Sequence, residues 1–533
     1  VEDFDYIIVG AGTAGCVLAD RLSATGRHRV LVLEAGGSDA RFWIKVPIGY
    51  GRTFADARVN WKYQALPSAG LNGRGMYWPR GRVVGGSSSI NALVYCRGMP
   101  ADFEDWRALG NVGWGWDDVR PYFERSERHI GADGRVRGEG PLDIKDVTRY
   151  LHPMRAQWLA AAAELGLPTT DDFNGPHPEG LGCYEVTIRK GRRWSAADAF
   201  LRPALKRGQV RLETQAWVKR LRLEGRRVVA VEYVRGAGTH TVRPRAEVIL
   251  CAGAVNTPQL LQLSGIGPGT LLAEKGIETV LDNAAVGAHL QDHLAIVYSF
   301  KSAVPTLNEE LHSALAQLRA GLRYVLGRRG PLALSVNQFG GFVRSNPGAA
   351  RPNLQLYFNP VTYGVGDATR TRIRVDPFPG FYLCHQPTRP TSEGRIDIAS
   401  ADFRTPPVIA PNYLATEQDC RDAVEGGRLL QTLARTRAFR SLIRAPLAPD
   451  LLALDDAGLL ADFRARAATV YHPVGTCRMG HAHDSVVDAS LRVHGIERLR
   501  IADASVFPTV TSANTNAPTL MVAQKAADLI LAA

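Results

Sequence analysis

No run of apolar residues in this chain approaches the roughly 20 needed to cross a bilayer as a helix. The longest, at 248–255, reads as a buried strand and its turn. Cysteine is scarce: seven thiols are spread over 533 residues, with no CxxC and no paired spacing. That argues against a disulfide or zinc framework and for free thiols in a reducing compartment. No basic start and apolar core of a secretory leader are visible, because the chain goes almost at once into the apolar run Tyr6-Ile7-Ile8-Val9. A cytoplasmic location is the expectation, with peripheral contact at a membrane left open. No basic run is interleaved with aromatics, so the net charge of +12 reads as a solvated, arginine-rich surface. Nucleic acid is therefore not an expected partner. No internal repeat or low-complexity segment occurs, and the histidines at 481, 483 and 494 lack zinc-ligand spacing, so no metal is expected.

What is present is an ordinary globular composition, 45% hydrophobic and 22% charged, on a chain too long for one simple core. Residues 5–36 read as a βαβ unit. Asp5–Val9 is a strand, Gly10–Gly15 a turn, Ala14–Ser23 a helix with Val17, Leu18 and Leu22 on one face, and Arg29–Glu34 a second strand. Residues 40–80 read as irregular cover, 81–98 as a turn running into a helix, and 130–150 as a border loop. Alternation over Val210–Leu223, Val228–Val234 and Thr239–Pro244 predicts a small antiparallel sheet beside the main one. A helix is expected over Glu309–Leu326 and another over Pro518–Leu531. The fold class expected is α/β: a doubly wound, Rossmann-type nucleotide domain (1–150, 205–295 and 467–533) with a second α+β substrate domain (151–204 and 296–466).

Gly10-Ala11-Gly12-Thr13-Ala14-Gly15 matches GxGxxG between a strand and a helix. The first glycine allows the tight turn, the second lets backbone approach a pyrophosphate, and the third lets helix and strand pack closely. The helix N-terminus offers free N–H groups and partial positive charge to the phosphates. Glu34, about twenty residues on, can accept from ribose hydroxyls. This spacing does not separate NAD from FAD.

Two later glycine turns do. The run Gly81-Arg82-Val83-Val84-Gly85-Gly86-Ser87-Ser88-Ser89-Ile90-Asn91 packs many N–H and hydroxyl donors into a short space. With Gly253-Ala254-Val255-Asn256-Thr257-Pro258 and Ser264-Gly265-Ile266-Gly267, it resembles the paired signatures of the glucose–methanol–choline (GMC) oxidoreductase family, in the family's order. The resemblance implies FAD. Gly10, Gly12, Thr13, Ala14, Gly15, Glu34 and Ala35 would hold the ADP half, with the backbone of Val218 at the adenine. Arg82, Val84, Gly85, Gly86, Ser87, Asn91, Ala92, Leu93 and Val94 would line the flavin. Asp503 and Ala504 would sit near the ribityl chain and pyrophosphate, with Ala252, Gly253, Asn516, Ala517 and Thr519 as further cofactor contacts. Where some relatives carry a histidine bonded to the flavin, this chain has Ile90, so non-covalent FAD is expected. His289 stands where the family usually has asparagine, so no contact is carried over to it.

Read alone, His472 in Tyr471-His472-Pro473-Val474-Gly475 divides evenly between a structural and a catalytic histidine. The family resemblance makes it the catalytic base, with Asn516 of Asn514-Thr515-Asn516-Ala517-Pro518 as its partner and Asn514 as a turn residue. A near-neutral imidazole can take a hydroxyl proton, and a carboxamide can orient the same oxygen. The implied reaction is oxidation of a primary alcohol to the aldehyde by hydride transfer to flavin N5. The implied partners are a small alcohol and an electron acceptor: a quinone, a dye, a carrier protein or oxygen. Alternatives are an oxygen-using alcohol oxidase, a choline dehydrogenase served by Trp61, Tyr63, Tyr357 and Tyr382, and, on the same fold, a lyase or photodecarboxylase.

Overall fold

A computed structural model describes residues 4–364 and 373–533. The chain opens with strand β1 (Phe4–Val9), helix α1 (Thr13–Ser23) and strand β2 (Val30–Glu34). Strand β3 (Val210–Thr214) and strand β4 (Pro244–Leu250) follow, then helix α2 (Gly253–Leu263), strand β5 (Leu499–Ile501) and helix α3 (Asn516–Leu531). The five strands pair in the order β3-β2-β1-β4-β5, all parallel. That is the order of a nucleotide-binding doubly wound sheet. Ile7, Ile8, Val30, Val32, Val248 and Ile249 are fully buried, as expected where helices cover both faces of a parallel sheet.

Glycine is required at the crossing from β1 to α1. A Cβ on Gly10 would lie 2.4 Å from the Cys251 carbonyl oxygen, and φ there is +105°. A Cβ on Gly15 would lie 1.9 Å from the Gly10 carbonyl oxygen. Neither position admits a side chain while helix and strand keep their spacing.

A second sheet is antiparallel throughout. Its order runs Ile443–Pro446, Leu294–Ser302, Gly380–Pro387, Leu354–Asn359, Phe339–Val343 and Gly180–Cys183, with Ala468–Thr469 joined to the Leu294 end. The 19-residue helix Glu417–Arg435 packs on this sheet.

Several local expectations need correction. Residues 63–78 are not irregular but form a hairpin, Tyr63–Ser68 with Arg74–Trp78. The glycine-serine turn makes one 3-10 turn, Gly86–Ser89, and the next helix after it begins only at Pro100. The border loop carries the strand Leu142–Lys145, paired with Glu127–Ile130. Val210–Thr214 belongs to the main sheet, and only Trp217–Glu224, Arg227–Arg235 and Gly238–Val242 make the small antiparallel one. The single helix expected over 309–326 is two, because the Ser313 hydroxyl caps a new start at Ala314. All seven cysteines are free thiols.

Candidate active site

One cavity of about 510 Å³ runs from the β1–α1 turn to the antiparallel sheet. Three helix N-termini lie on its wall, at Thr13, Gly253 and Asn516; those at Thr13 and Asn516 have no side-chain cap, and Gly253 N donates to the Asp503 carboxylate. Their first-turn N–H groups and dipoles all favour negative charge at one place. Glu34 also faces the cavity, and its carboxylate accepts from the N–H groups of Ala11 (2.9 Å) and Gly36 (2.7 Å). Burial raises its pKa to about 7, against the lowering effect of those two bonds. The Asp503 carboxylate accepts from Gly253 N (2.8 Å), Thr257 Oγ1 (2.6 Å) and Ser505 N (2.8 Å), tying α2 to the segment after β5.

Most residues expected to bind the cofactor share this wall: Gly10, Gly12, Thr13, Ala14, Glu34, Ala35, Gly86, Ser87, Asn91, Ala92, Leu93, Val94, Val218, Ala252, Gly253, Asp503, Ala504, Asn516 and Thr519. Gly15, Arg82, Val84, Gly85 and Ala517 do not line it. Gly15 serves helix–strand packing, and the Arg82 guanidinium donates to the Ala57 carbonyl (2.8 Å). Gly85 N donates to Ala11 O (2.7 Å) and Val84 O accepts from Ser89 Oγ (2.8 Å), so both brace the turn from behind. Ala517 is buried in the core. His289 lies outside the wall, its Nδ1 2.7 Å from Glu393. A Cβ on Gly86 would meet Gly12 Cα at 2.7 Å, so the two glycine turns touch and leave room only for bare backbone.

Arg193 carried no sequence signal. It is 1% exposed and holds the second turn by donating to Ser88 O (3.1 Å), Asn91 Oδ1 (2.7 Å) and Asn91 O (2.6 Å).

At the other end of the cavity, Leu294 pairs with Thr469 across two antiparallel strands. His293, next to Leu294, and His472, three residues after Thr469, stand side by side although 179 positions apart. Their Nδ1 atoms are 3.0 Å apart, and His293 Nε2 is 2.8 Å from the Thr388 carbonyl oxygen. A carbonyl only accepts, so His293 Nε2 carries the proton. Burial holds His293 neutral, with its pKa lowered to about 4, so its Nδ1 is a bare acceptor. His472 Nδ1 must then carry a hydrogen, which leaves His472 Nε2 unprotonated, an acceptor. Burial first, then Arg80, hold the His472 pKa well below that of an ordinary imidazole. Its backbone N–H donates to Asp292 Oδ1 (2.7 Å), and that carboxylate also accepts from Thr469 Oγ1 (2.5 Å) and Tyr413 OH (2.5 Å).

The carboxamide on His472 Nε2 is that of Asn514, at 3.2 Å. Asn516, the residue expected there, instead accepts from Thr13 Oγ1 (2.9 Å) at the nucleotide end. Asn516 opens α3, whereas Asn514 lies two residues earlier on the approach to it, so the two point to different ends of the cavity. Gln355 Nε2 lies 3.4 Å from Asn514 Oδ1, which directs the Asn514 NH₂ toward the imidazole. Around this end the wall is aromatic and apolar, with Tyr50, Phe54, Tyr357, Tyr363, Tyr382 and Val297. Among the described residues, the only carboxylates on the wall are Glu34 and Asp503.

Two family models of GMC oxidoreductases match the chain, over residues 4–295 and 390–523. Human mitochondrial choline dehydrogenase is 41% identical over 99% of this chain and 90% of its own length. An alcohol dehydrogenase (acceptor) of Pseudomonas putida is 40% identical over 99% of this chain and 96% of its own. Among solved structures, a pyridoxine 4-oxidase from Mesorbium loti is similar with a TM-score of 0.87 and 30% identity, covering 99% of both chains. A formate oxidase variant of Aspergillus oryzae, studied for FAD modification, is similar with a TM-score of 0.91 and 26% identity, covering 100% of this chain and 98% of the other. The parallel nucleotide sheet, the touching glycine turns and the histidine–carboxamide pair thus sit in a chain that belongs to the GMC oxidoreductase family.

Proposed function

We propose that this FAD-dependent GMC oxidoreductase oxidises a neutral primary alcohol with an apolar body, using His472 as base and Asn514 as the group that orients the hydroxyl. The observation that carries the reading is the unprotonated His472 Nε2, which accepts from the Asn514 NH₂ at 3.2 Å, so that base and donor face one point of the cavity. His472 Nε2 takes the hydroxyl proton. Asn514 Nδ2 donates to the same oxygen and steadies the negative charge that develops there. Asp292 and His293 hold the imidazole without touching substrate. When bound, FAD supplies the acceptor for the hydride that leaves the carbinol carbon.

The residues present fit that cofactor. The uncapped helix N-termini at Thr13 and Asn516 suit a pyrophosphate, and the Gly12–Gly86 contact suits close backbone approach. Ile90 offers no nucleophile for a covalent link, so FAD is held non-covalently. The domain reading that goes with this is a nucleotide domain of 1–150, 205–295 and 467–533 and a substrate domain of 151–204 and 296–466.

Among the described residues no carboxylate lines the cavity at the His472 end, Asp292 lying behind the imidazole, which favours a neutral substrate over a cation. The aromatic wall supports choline as the second reading, since rings alone can hold a quaternary ammonium. Electrons then pass to a quinone, a dye, a carrier protein or oxygen, and the cytoplasmic side of the cell is the location we assign.

Anaerobic mixing of the holoenzyme with a panel of alkanols, aryl alcohols and choline tests this. Bleaching of the flavin by neutral alcohols is the expected result. Bleaching by choline alone would transfer the reading to choline oxidation. No bleaching by any alcohol would remove alcohol oxidation altogether. Rapid recovery in air with peroxide formed would identify oxygen as the acceptor.

A further inference from the structure

The helix Ala314–Gly327 turns its apolar residues the wrong way for a protein surface. It buries Ala320 and Tyr324. At 100° per residue, the positions opposite those two are Leu315, Leu318, Leu322, Val325 and Leu326. In a helix on an aqueous surface that stripe is polar. Here its exposure runs from 51% at Leu322 to 84% at Leu326. Phe42 and Trp43, 53% and 39% exposed, lie beside the helix at its Tyr324 edge, with the Phe42 ring 6.4 Å from that of Tyr324.

The rim is cationic. Residues 311–330 contain Arg319, Arg323, Arg328 and Arg329 and no acidic residue. Arg319 and Arg323 fall along one flank of the stripe, and Arg328 and Arg329 follow its C-terminal end. Beyond them, the Arg52 guanidinium lies over the Trp43 ring at 5.2 Å. Countercharge sits at the N-terminal end, where Glu310 lies 2.8 Å from Arg323 beside the exposed Glu309.

An apolar stripe, an arginine rim and an exposed tryptophan match a helix lying in the headgroup layer of an anionic bilayer. The helix, at 14 residues, is roughly 21 Å long, short of the roughly 30 Å hydrocarbon layer. No helix among the described residues is long and apolar enough to cross a membrane, so this one would lie on the surface. A second copy is the poorer occupant, because a two-fold contact sets like patches together and would oppose two arginine rims. The patch also neighbours the substrate end of the cavity. The helix packs on the turn Pro331–Ala333, which packs on Pro47–Gly49, and Tyr50 lines the cavity.

We propose that the outer face of Ala314–Gly327, with Phe42 and Trp43, docks this enzyme on anionic phospholipid membranes. The test uses holoenzyme and sedimentable vesicles of phosphatidylglycerol mixed with phosphatidylcholine, against phosphatidylcholine alone. Wild type should sediment with the anionic vesicles. L318E/L322E should lower the partition coefficient at least ~100-fold. R319Q/R329Q should lower it by roughly fivefold per arginine. All four side chains are exposed, so turnover of a water-soluble alcohol should stay at the wild-type rate in both variants. Three results would overturn the proposal: wild type left in the supernatant, L318E/L322E binding as wild type does, or a wild-type dimer that L318E/L322E splits while neither form binds vesicles. The last would assign the face to a second copy.

Discussion

The imidazole rings of His293 and His472 meet Nδ1 to Nδ1 at 3.0 Å, their planes at 88°. Thr388 fixes the outer nitrogen of the pair, so the proton order along the chain is set before any substrate arrives. His293 is a positioning residue: it acts only through His472. His293→Leu removes the acceptor and frees the His472 tautomer, and turnover should fall by roughly tenfold to a hundredfold. His293→Gln can still accept with Oε1 and donate with Nε2, so it should recover part of the loss. A structural role alone would not distinguish these two variants.

The same pair sets the pH profile. Only neutral His472 can take a proton, and its pKa lies well below that of an ordinary imidazole. In wild type kcat/KM should therefore stay level above about pH 6.5 and fall only at lower pH. In His293→Leu the acceptor that steadies His472 Nδ1–H is gone, which disfavours the protonated ring, so the acid limb should move to still lower pH. A profile unmoved by His293→Leu would detach His293 from the base.

His472→Ala should keep a yellow, folded flavoprotein and lose about 10²–10⁴-fold in turnover. Near-normal turnover would remove His472 from the base role. Stopped-flow reduction by substrate reads the step directly.

Asn514 and Asn516 should separate cleanly. Asn514→Ala should cut the rate of flavin reduction by about 10²-fold with cofactor affinity kept. Asn516→Ala loses its bond to Thr13, worth about 1 kcal/mol, and should loosen the cofactor while sparing the reduction rate. The opposite pattern would return the catalytic role to Asn516. Acid precipitation should release flavin into the supernatant, since Ile90 cannot bond to it.

A buried cluster far from the chemistry makes a stability prediction. Glu127 accepts from Arg97 and lies 2.8 Å from His129, whose other nitrogen is 3.1 Å from Glu185. Burial alone would raise Glu127, but the bonds from His129 and Arg97 win and lower it to about 2. Burial alone would lower His129, but its bonds to Glu127 and Glu185 raise it to about 9. The His129 contribution is complete below the unfolded value of 6.5 and is lost as pH rises through 9. The Glu127 contribution is complete above 4.5 and is lost as pH falls through 2. Urea midpoints should drop between about pH 6 and about pH 9.5, and less so in Glu185→Gln. An equal drop in both proteins would discount the His129–Glu185 contact.

The sequence by itself determined the β1–α1 crossing, the glycine turns and the place of His472, because each is a local requirement. A turn that admits no Cβ at Gly10 or Gly15 can be written only one way, and a short string of residues carries it. Tertiary structure alone decided what faces His472. Asn514 and Asn516 differ by two positions at a helix entrance, and only the direction of that entrance sends one to the imidazole and the other to Thr13. His293 reaches His472 through the Leu294–Thr469 strand pair, a register between segments far apart in the chain. Val210–Thr214 alternates like its antiparallel neighbours yet joins the parallel sheet, because alternation records burial and not the partner strand. The outward leucines of Ala314–Gly327 have helical spacing in any reading, but only packing of Ala320 and Tyr324 tells which side is in.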